Sequence, residues 1–291
     1  MPSVTTADLT IAYDDDGARD APAVVLLHGW PDDASTWDAV RPMLREAGFR
    51  LIIPTLRGFG ANRFLSDAPR TGNSAIHAMD VIALLDALGV NRFAVVGHDW
   101  GSNIAEALAV GWPERVTRIT MLSTPPRLGG MKTPPFWHAQ RQWYHWFMAT
   151  KRGAAAVRED PKGFAHIHWV NWSPEGWFDE ATFEAVARSF ENPDWVDVTL
   201  HSYRARWDEA APDPASQWLE DKVKATANLA LSALYLHGAE DGVNPPATAD
   251  AVAGKFAGPF EQVLLSGVGH FPQREAPAAV ADAILALLAD A

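Results

Sequence analysis

The chain has 291 residues, enough for one large domain or a domain with an insertion, and its 48% hydrophobic and 21% charged content is that of a folded globular protein. With 24 basic against 36 acidic residues the formal charge is −12, which argues against nucleic acid or an anionic membrane as partner and points to a neutral small-molecule substrate. There are no cysteines, so disulfides, thiolate nucleophiles and cysteine metal sites are excluded.

The start, Met1-Pro2-Ser3-Val4-Thr5, lacks a basic segment followed by an apolar run, and no uncharged apolar stretch of about 18 residues occurs. A soluble, cytoplasmic protein is expected. Residues 5–13 alternate loosely and end in the turn signal Asp14-Asp15-Asp16-Gly17, so a leading strand or hairpin is expected. Ala23-Val24-Val25-Leu26-Leu27 is a continuous apolar run, as in a parallel strand covered on both faces, and it ends in His28-Gly29-Trp30-Pro31. Helical spacing over 35–47 leads to a buried strand, Phe49 to Ile53, closed by Pro54 and the loop Arg57-Gly58-Phe59-Gly60, where Arg57 reads as a loop-fixing residue. Ser74 suits the N-cap of an amphipathic helix, Ala75 to Leu88, that stops at Gly89.

Next comes the apolar run Arg92-Phe93-Ala94-Val95-Val96, then Gly97-His98-Asp99-Trp100-Gly101, then helical spacing from Ser102 to Val110. Strand, tight turn, helix is the order of a nucleophile elbow, in which flanking glycines let the chain turn sharply and push one side chain out at the top of the sheet. Here that side chain is the carboxylate of Asp99. The competing reading makes Asp99 the N-cap of the following helix. One more strand, Val116 to Leu122, precedes a change of composition. From about Pro125 to Glu220 the strand pattern vanishes, and nine of the 13 tryptophans fall between Trp137 and Trp218, which reads as a helical insertion. The strand-helix alternation resumes with Ser232 to Leu236, a helix near Ala247 to Phe256, the strand Glu261 to Leu265 and a closing helix Ala276 to Leu288. The expected fold class is α/β, a mostly parallel sheet flanked by helices, with core segments 1–124 and 221–291 and a helical cap over 125–220.

Two further candidates stand where late strands end. Leu236-His237-Gly238-Ala239-Glu240-Asp241 places Asp241 past one strand, and Gly267-Val268-Gly269-His270-Phe271 places His270 past the next. Asp99, Asp241 and His270 thus follow in the order nucleophile, acid, histidine at the carboxyl edge of one sheet. Taken singly, Asp241 reads equally as a turn residue before Gly242 and His270 as a glycine-flanked loop residue, and Glu240 competes with Asp241 as the acid. His166-Ile167-His168 is too sparse for a metal site, and no metal or cofactor is expected.

Through His28-Gly29-Trp30-Pro31, Gly97-His98-Asp99-Trp100-Gly101 and Gly269-His270-Phe271, the chain resembles the α/β-hydrolase superfamily over nearly its whole length. Within it, the chain is most similar to the branch with an aspartate nucleophile, the epoxide hydrolases and the haloalkane and haloacetate dehalogenases. The resemblance implies that Asp99 attacks a tetrahedral carbon to give an alkyl ester, which water activated by His270 hydrolyses while Asp241 orients the imidazole. It implies oxyanion donors in the backbone N–H groups of Trp30 and Trp100, each worth about 3 to 4 kcal/mol, with their side chains walling the pocket. Tyr144 and Tyr203 stand in contexts like the tyrosine-bearing cap segments that hold an epoxide oxygen. The expected activity is hydrolysis of a small apolar epoxide to a vicinal diol, by a monomer or a homodimer. The alternative is a dehalogenase. Haloalkane dehalogenases usually hold the halide between an Asn and the indole N–H of a tryptophan after the nucleophile, and Trp100 fits but Trp30 stands at the Asn position. Haloacetate dehalogenases usually carry Arg where Trp100 stands; Trp143, Trp146 or His145 could supply another halide donor. A noncatalytic ligand receptor of the same fold would be expected to have lost a triad member.

Overall fold

A computed structural model describes residues 1–65 and 68–289, so residues 290–291 of the expected second core segment lie outside the described residues. A hairpin opens the chain, β1 (Ser3–Thr5) pairing antiparallel with β2 (Leu9–Asp16). Asp14, Asp15 and Asp16 belong to β2 rather than to a turn, where Arg41 and Arg45 pair with Asp14 and Asp16 and Arg50 with Asp15. The turn itself is left to Gly17, at φ +105°.

β3 (Ala23–Leu27), α1 (Arg41–Glu46), β4 (Arg50–Pro54), the short β5 (Arg63–Phe64), α2 (Ser74–Ala87), β6 (Phe93–His98), α3 (Trp100–Gly111) and β7 (Val116–Leu122) follow. Seven helices come next without a strand among the described residues: α4 (Phe136–Ala139), α5 (Trp143–Ala149), α6 (Lys151–Glu159), α7 (Pro161–Trp172), α8 (Glu180–Ala187), α9 (Trp195–Arg206) and α10 (Gln217–Ala225). The chain ends with β8 (Ser232–Gly238), β9 (Phe260–Leu265), α11 (Pro272–Glu275) and α12 (Pro277–Ala289).

The strands form one sheet in the order β1-β2-β4-β3-β6-β7-β8-β9, with β5 paired to β2. From β4 to β9 every pairing is parallel, and β2 joins antiparallel. The apolar run of β3 shows why both faces are covered. Val25 and Leu27 enter the core that contains α2 and α3, while Val24 and Leu26 enter the core formed with α1 and α12.

Three local expectations are corrected. The helix over 35–47 is split into a 3₁₀ turn at Ala34–Trp37, capped by Asp33, and α1, whose start is set by Pro42. No α-helix forms over Ala247–Phe256, where Pro245-Pro246 and Gly254 leave only 3₁₀ turns at Pro246–Ala249 and Ala253–Lys255. Asn73, not Ser74, holds the N-cap position of α2, and its side chain reaches away to Ser216 and Glu220. The expected boundary at residue 220 falls inside α10, whose buried Leu219 lies over Gly111 of α3.

Candidate active site

Asp99 occupies the single residue between β6 and α3 at φ 50°, ψ −110°, a conformation disfavoured for a residue with a Cβ. Its side chain makes no capping bond to α3, which removes the N-cap reading. The turn closes only because its neighbours are glycines. A Cβ on Gly29 would sit 2.5 Å from Asp99 Cβ and 2.7 Å from the His98 carbonyl, and a Cβ on Gly97 would strike the backbone of Gly101. The Asp99 carboxylate is thereby held against the loop after β3, where Oδ1 accepts the Trp30 backbone N–H at 2.9 Å. Thr124, past the end of β7, donates Oγ1–H to Oδ2 at 3.3 Å.

His270 follows β9. Its Nδ1 lies 2.8 Å from Asp241 Oδ2, and Asp241 Oδ1 accepts the N–H groups of Val243 and Asn244 at 2.9 and 2.8 Å. The imidazole Nε2 stands 3.6 Å from Asp99 Oδ2, beyond hydrogen-bond length, and has no hydrogen-bond partner among the described residues. The loop is held from the helical segment, since the His270 N–H donates to the Trp172 carbonyl at 3.1 Å and to Ser173 Oγ at 2.9 Å. Glu275 fixes it further by accepting the Gly269 and Phe271 N–H groups.

Electrostatics follow from this geometry. Burial disfavours the Asp99 carboxylate, but His270 and the Trp30 amide outweigh it and hold its pKa below the ordinary value. Burial likewise favours a neutral His270 ring, yet the charges of Asp241 and Asp99 raise its pKa to about 10. The charges of the two carboxylates thus favour the imidazolium form of the ring.

Tyr144 on α5 and Tyr203 on α9 are brought together, with ring centroids 5.3 Å apart. Tyr144 stacks on Trp30 at 5.7 Å and 11°, and Tyr203 Oη accepts the Trp100 indole N–H at 3.2 Å. Burial, with the Asp99 charge added, pushes both phenols above their ordinary pKa, so both keep their protons. A cavity of about 370 Å³ adjoins Asp99, lined also by Thr124, Gln142, Tyr144, Arg127 and Arg206. Tyr203 and the indoles of Trp30 and Trp100 are buried outside that lining. The two indoles stack on each other at 6.4 Å within the core, and Trp30 stacks in turn on Tyr144. Of the two expected backbone donors, Trp30 makes the bond to Asp99, while Trp100 is the first residue of α3 and its N–H makes no such bond.

The histidines of the other sequence motifs have structural places. His28 accepts the Leu56 N–H at 3.0 Å, and His98 donates to the His270 carbonyl at 2.7 Å. His166 pairs with Glu180, His168 is buried, and no cluster suited to a metal ion occurs among the described residues. Arg57 does fix loops, gripping Asp80 at 2.6 and 2.7 Å and also bonding Thr71. The sequence reading missed Thr124, Ser173, Glu275, Arg127 and Arg206. Thr124 alone had a signal, its place just past a strand end.

An open parallel sheet, an acid on a glycine-flanked elbow and a histidine backed by a second acid define a hydrolase. The chain belongs to the alpha/beta hydrolase fold family, whose model matches residues 22–277. Over 94% of its length it is 26% identical to Epoxide hydrolase A of Mycobacterium tuberculosis (strain ATCC 25618 / H37Rv), covering 92% of that protein. It is 35% identical, with a TM-score of 0.93, to the crystal structure of a Klebsiella pneumoniae subsp. pneumoniae MGH 78578 protein provisionally identified as an epoxide hydrolase, covering 98% of this chain and 96% of that one. A fluoroacetate dehalogenase of a Burkholderia species is 27% identical over 63% of this chain and 62% of its own. No helix among the described residues is long and apolar enough to cross a membrane.

Proposed function

We propose that the protein is an epoxide hydrolase that opens a small epoxide to a vicinal diol through an ester on Asp99, with residues 125–220 acting as the cap over the site. The observation that carries this reading is the pair of phenols beside Asp99: Tyr144 lines the cavity, and Tyr203 lies behind it with ring centroids 5.3 Å apart. The Tyr203 oxygen accepts the Trp100 indole N–H and its hydroxyl faces Tyr144, which leaves the Tyr144 proton to be donated. An alkoxide leaving group requires such a donor, and Tyr203 backs it.

In this reading Asp99 Oδ2 attacks an epoxide carbon, because Oδ1 is engaged by Trp30. The C–O bond breaks and the departing oxygen takes a proton from a phenol. Esterification removes the negative charge beside His270, so the pKa of the imidazolium falls, its proton passes to the phenolate left by ring opening, and the neutral ring can act as a base. His270 then takes a proton from water, the water oxygen attacks Asp99 Cγ, and the Oδ1 oxyanion is stabilised by the Trp30 N–H. The intermediate collapses with cleavage of the bond from Asp99 Cγ to the substrate oxygen, which takes the proton from the His270 imidazolium and leaves as the diol, and the Asp99 carboxyl then returns its proton to the ring. Asp241 orients the ring and stabilises its charge.

Haloalkane dehalogenation is disfavoured because the Trp100 indole that would hold a halide is engaged by Tyr203. Haloacetate dehalogenation is the second reading, favoured by the Burkholderia relative and by two arginines on the cavity. The test is the intact mass of His270→Gln after incubation with styrene oxide or 1,2-dibromoethane. A gain equal to the whole epoxide, absent in His270→Gln/Asp99→Asn, is expected. A gain from the dibromide alone, less one bromide, would replace the epoxide reading with dehalogenation.

A further inference from the structure

Arg127 follows β7 and Arg206 ends α9. Both side chains line the cavity at Asp99 and a second one of about 400 Å³, which also touches Asn73, Asn103 and Glu106. Among the described residues neither guanidinium has an ion-pair partner, and Arg127 Nη2 and Arg206 Nε are buried with no hydrogen-bond partner. Elsewhere the chain treats buried arginines differently. Arg50 grips Asp15 through two bonds of 2.8 Å, and Arg274 grips Asp32 at 2.6 and 2.9 Å.

The nearby carboxylate does not fill the gap. Glu106 Oε1 accepts the backbone N–H groups of Arg127 and Leu128, at 2.7 and 2.9 Å, rather than a guanidinium. Burial pushes the Glu106 pKa up to about 7. Loss of solvent, followed by the like charge of Arg206, lowers Arg127 to about 9. Glu220 and Asp99 act on Arg127 only as charges at a distance, Glu220 Oε1 being bonded to Asn73, so the guanidinium donors are left for a bound anion to satisfy.

We propose that Arg127 and Arg206 bind a carboxylate on the substrate while its epoxide lies at Asp99. The planar guanidinium fork matches a carboxylate in geometry and charge. This rests on the epoxide reading and narrows it, from a neutral apolar epoxide to one with an apolar body and an anionic end. The net charge of −12 describes the whole chain and does not describe this cavity, where the unpaired groups are cationic.

The test compares 4-(oxiran-2-yl)benzoate with styrene oxide. The wild type is expected to favour the carboxylate in kcat/KM. Arg127→Gln and Arg206→Gln should each lower the ratio of the two values by about 10- to 100-fold, mainly through KM, and Arg127→Lys should restore part of it. Because the readout is a ratio, general damage to the site cancels. An unchanged ratio would overturn the proposal. Calorimetry with the unreactive 4-ethylbenzoate separates it from the epoxide reading. Binding that depends on Arg127, with neither epoxide turned over, would retain the anion site and remove the epoxide reading. Turnover of styrene oxide without any binding of 4-ethylbenzoate would do the reverse.

Discussion

Asp241 meets His270 Nδ1 at 2.8 Å through one carboxylate oxygen and is itself held by two backbone N–H groups through the other. A carboxylate fixed on one side can orient a ring on the other, and its charge is part of what holds the ring cationic. Asp241→Asn keeps the shape and removes the charge. We expect kcat to fall by about 10³- to 10⁴-fold, as when a triad acid is neutralised, and the His270 pKa followed by NMR to drop. Activity within tenfold of wild type would assign the orienting role elsewhere, with Glu240 the neighbouring acid to test.

Much of this arrangement was legible in the sequence because its signals are local. The run Ala23 to Leu27 and the glycines around Asp99 each state a strand or a turn within a few residues, and the strands β3 and β7 match their expected bounds. What was not legible depends on partners distant along the chain. The three acids Asp14 to Asp16 read as a turn until Arg41, Arg45 and Arg50 are seen to face them. Arg127 and Arg206 are 79 positions apart and share a cavity only because α9 returns over the sheet, so no pattern in either neighbourhood pointed to them. The stacking of the Trp30 and Trp100 indoles on each other likewise depends on a contact that no local pattern states.

The two phenols make a second prediction. Tyr144→Phe and Tyr203→Phe each remove one proton donor while keeping the ring that packs against Trp30. Each should slow epoxide opening by about 10²-fold, the scale of losing one donor to a developing oxyanion, and the double variant should lose more than either single one. Rapid-quench measurement of ester formation isolates this step from hydrolysis of the ester. Undiminished ester formation in the double variant would remove both tyrosines from the mechanism.

Gly29 tests the close packing at the elbow. A methyl group there would meet Asp99 Cβ at 2.5 Å and the His98 carbonyl at 2.7 Å, both parts of a turn that has little room to shift. We expect Gly29→Ala to cost about 1 to 3 kcal/mol in urea denaturation and to lower kcat by displacing the Trp30 N–H from Asp99. A variant of wild-type stability and activity would show that the elbow is looser than this packing implies.

The charges of the triad also set how stability depends on pH. His270 has a folded pKa raised from 6.5 to about 10, so between those values the folded state holds a proton that the unfolded state has released. Stability from this group is complete below about pH 6.5 and declines as pH rises toward 10. Asp99 is shifted the other way, below its ordinary 3.8, so its contribution is present above that value and is lost as pH falls. His270→Gln removes the titrating group. Urea denaturation should therefore find the wild type's advantage over the variant larger at pH 6 than at pH 9.5. A gap that stayed constant across that window would mean that the ring is neutral in the folded protein, and that Asp99 and Asp241 do not share an imidazolium before substrate arrives.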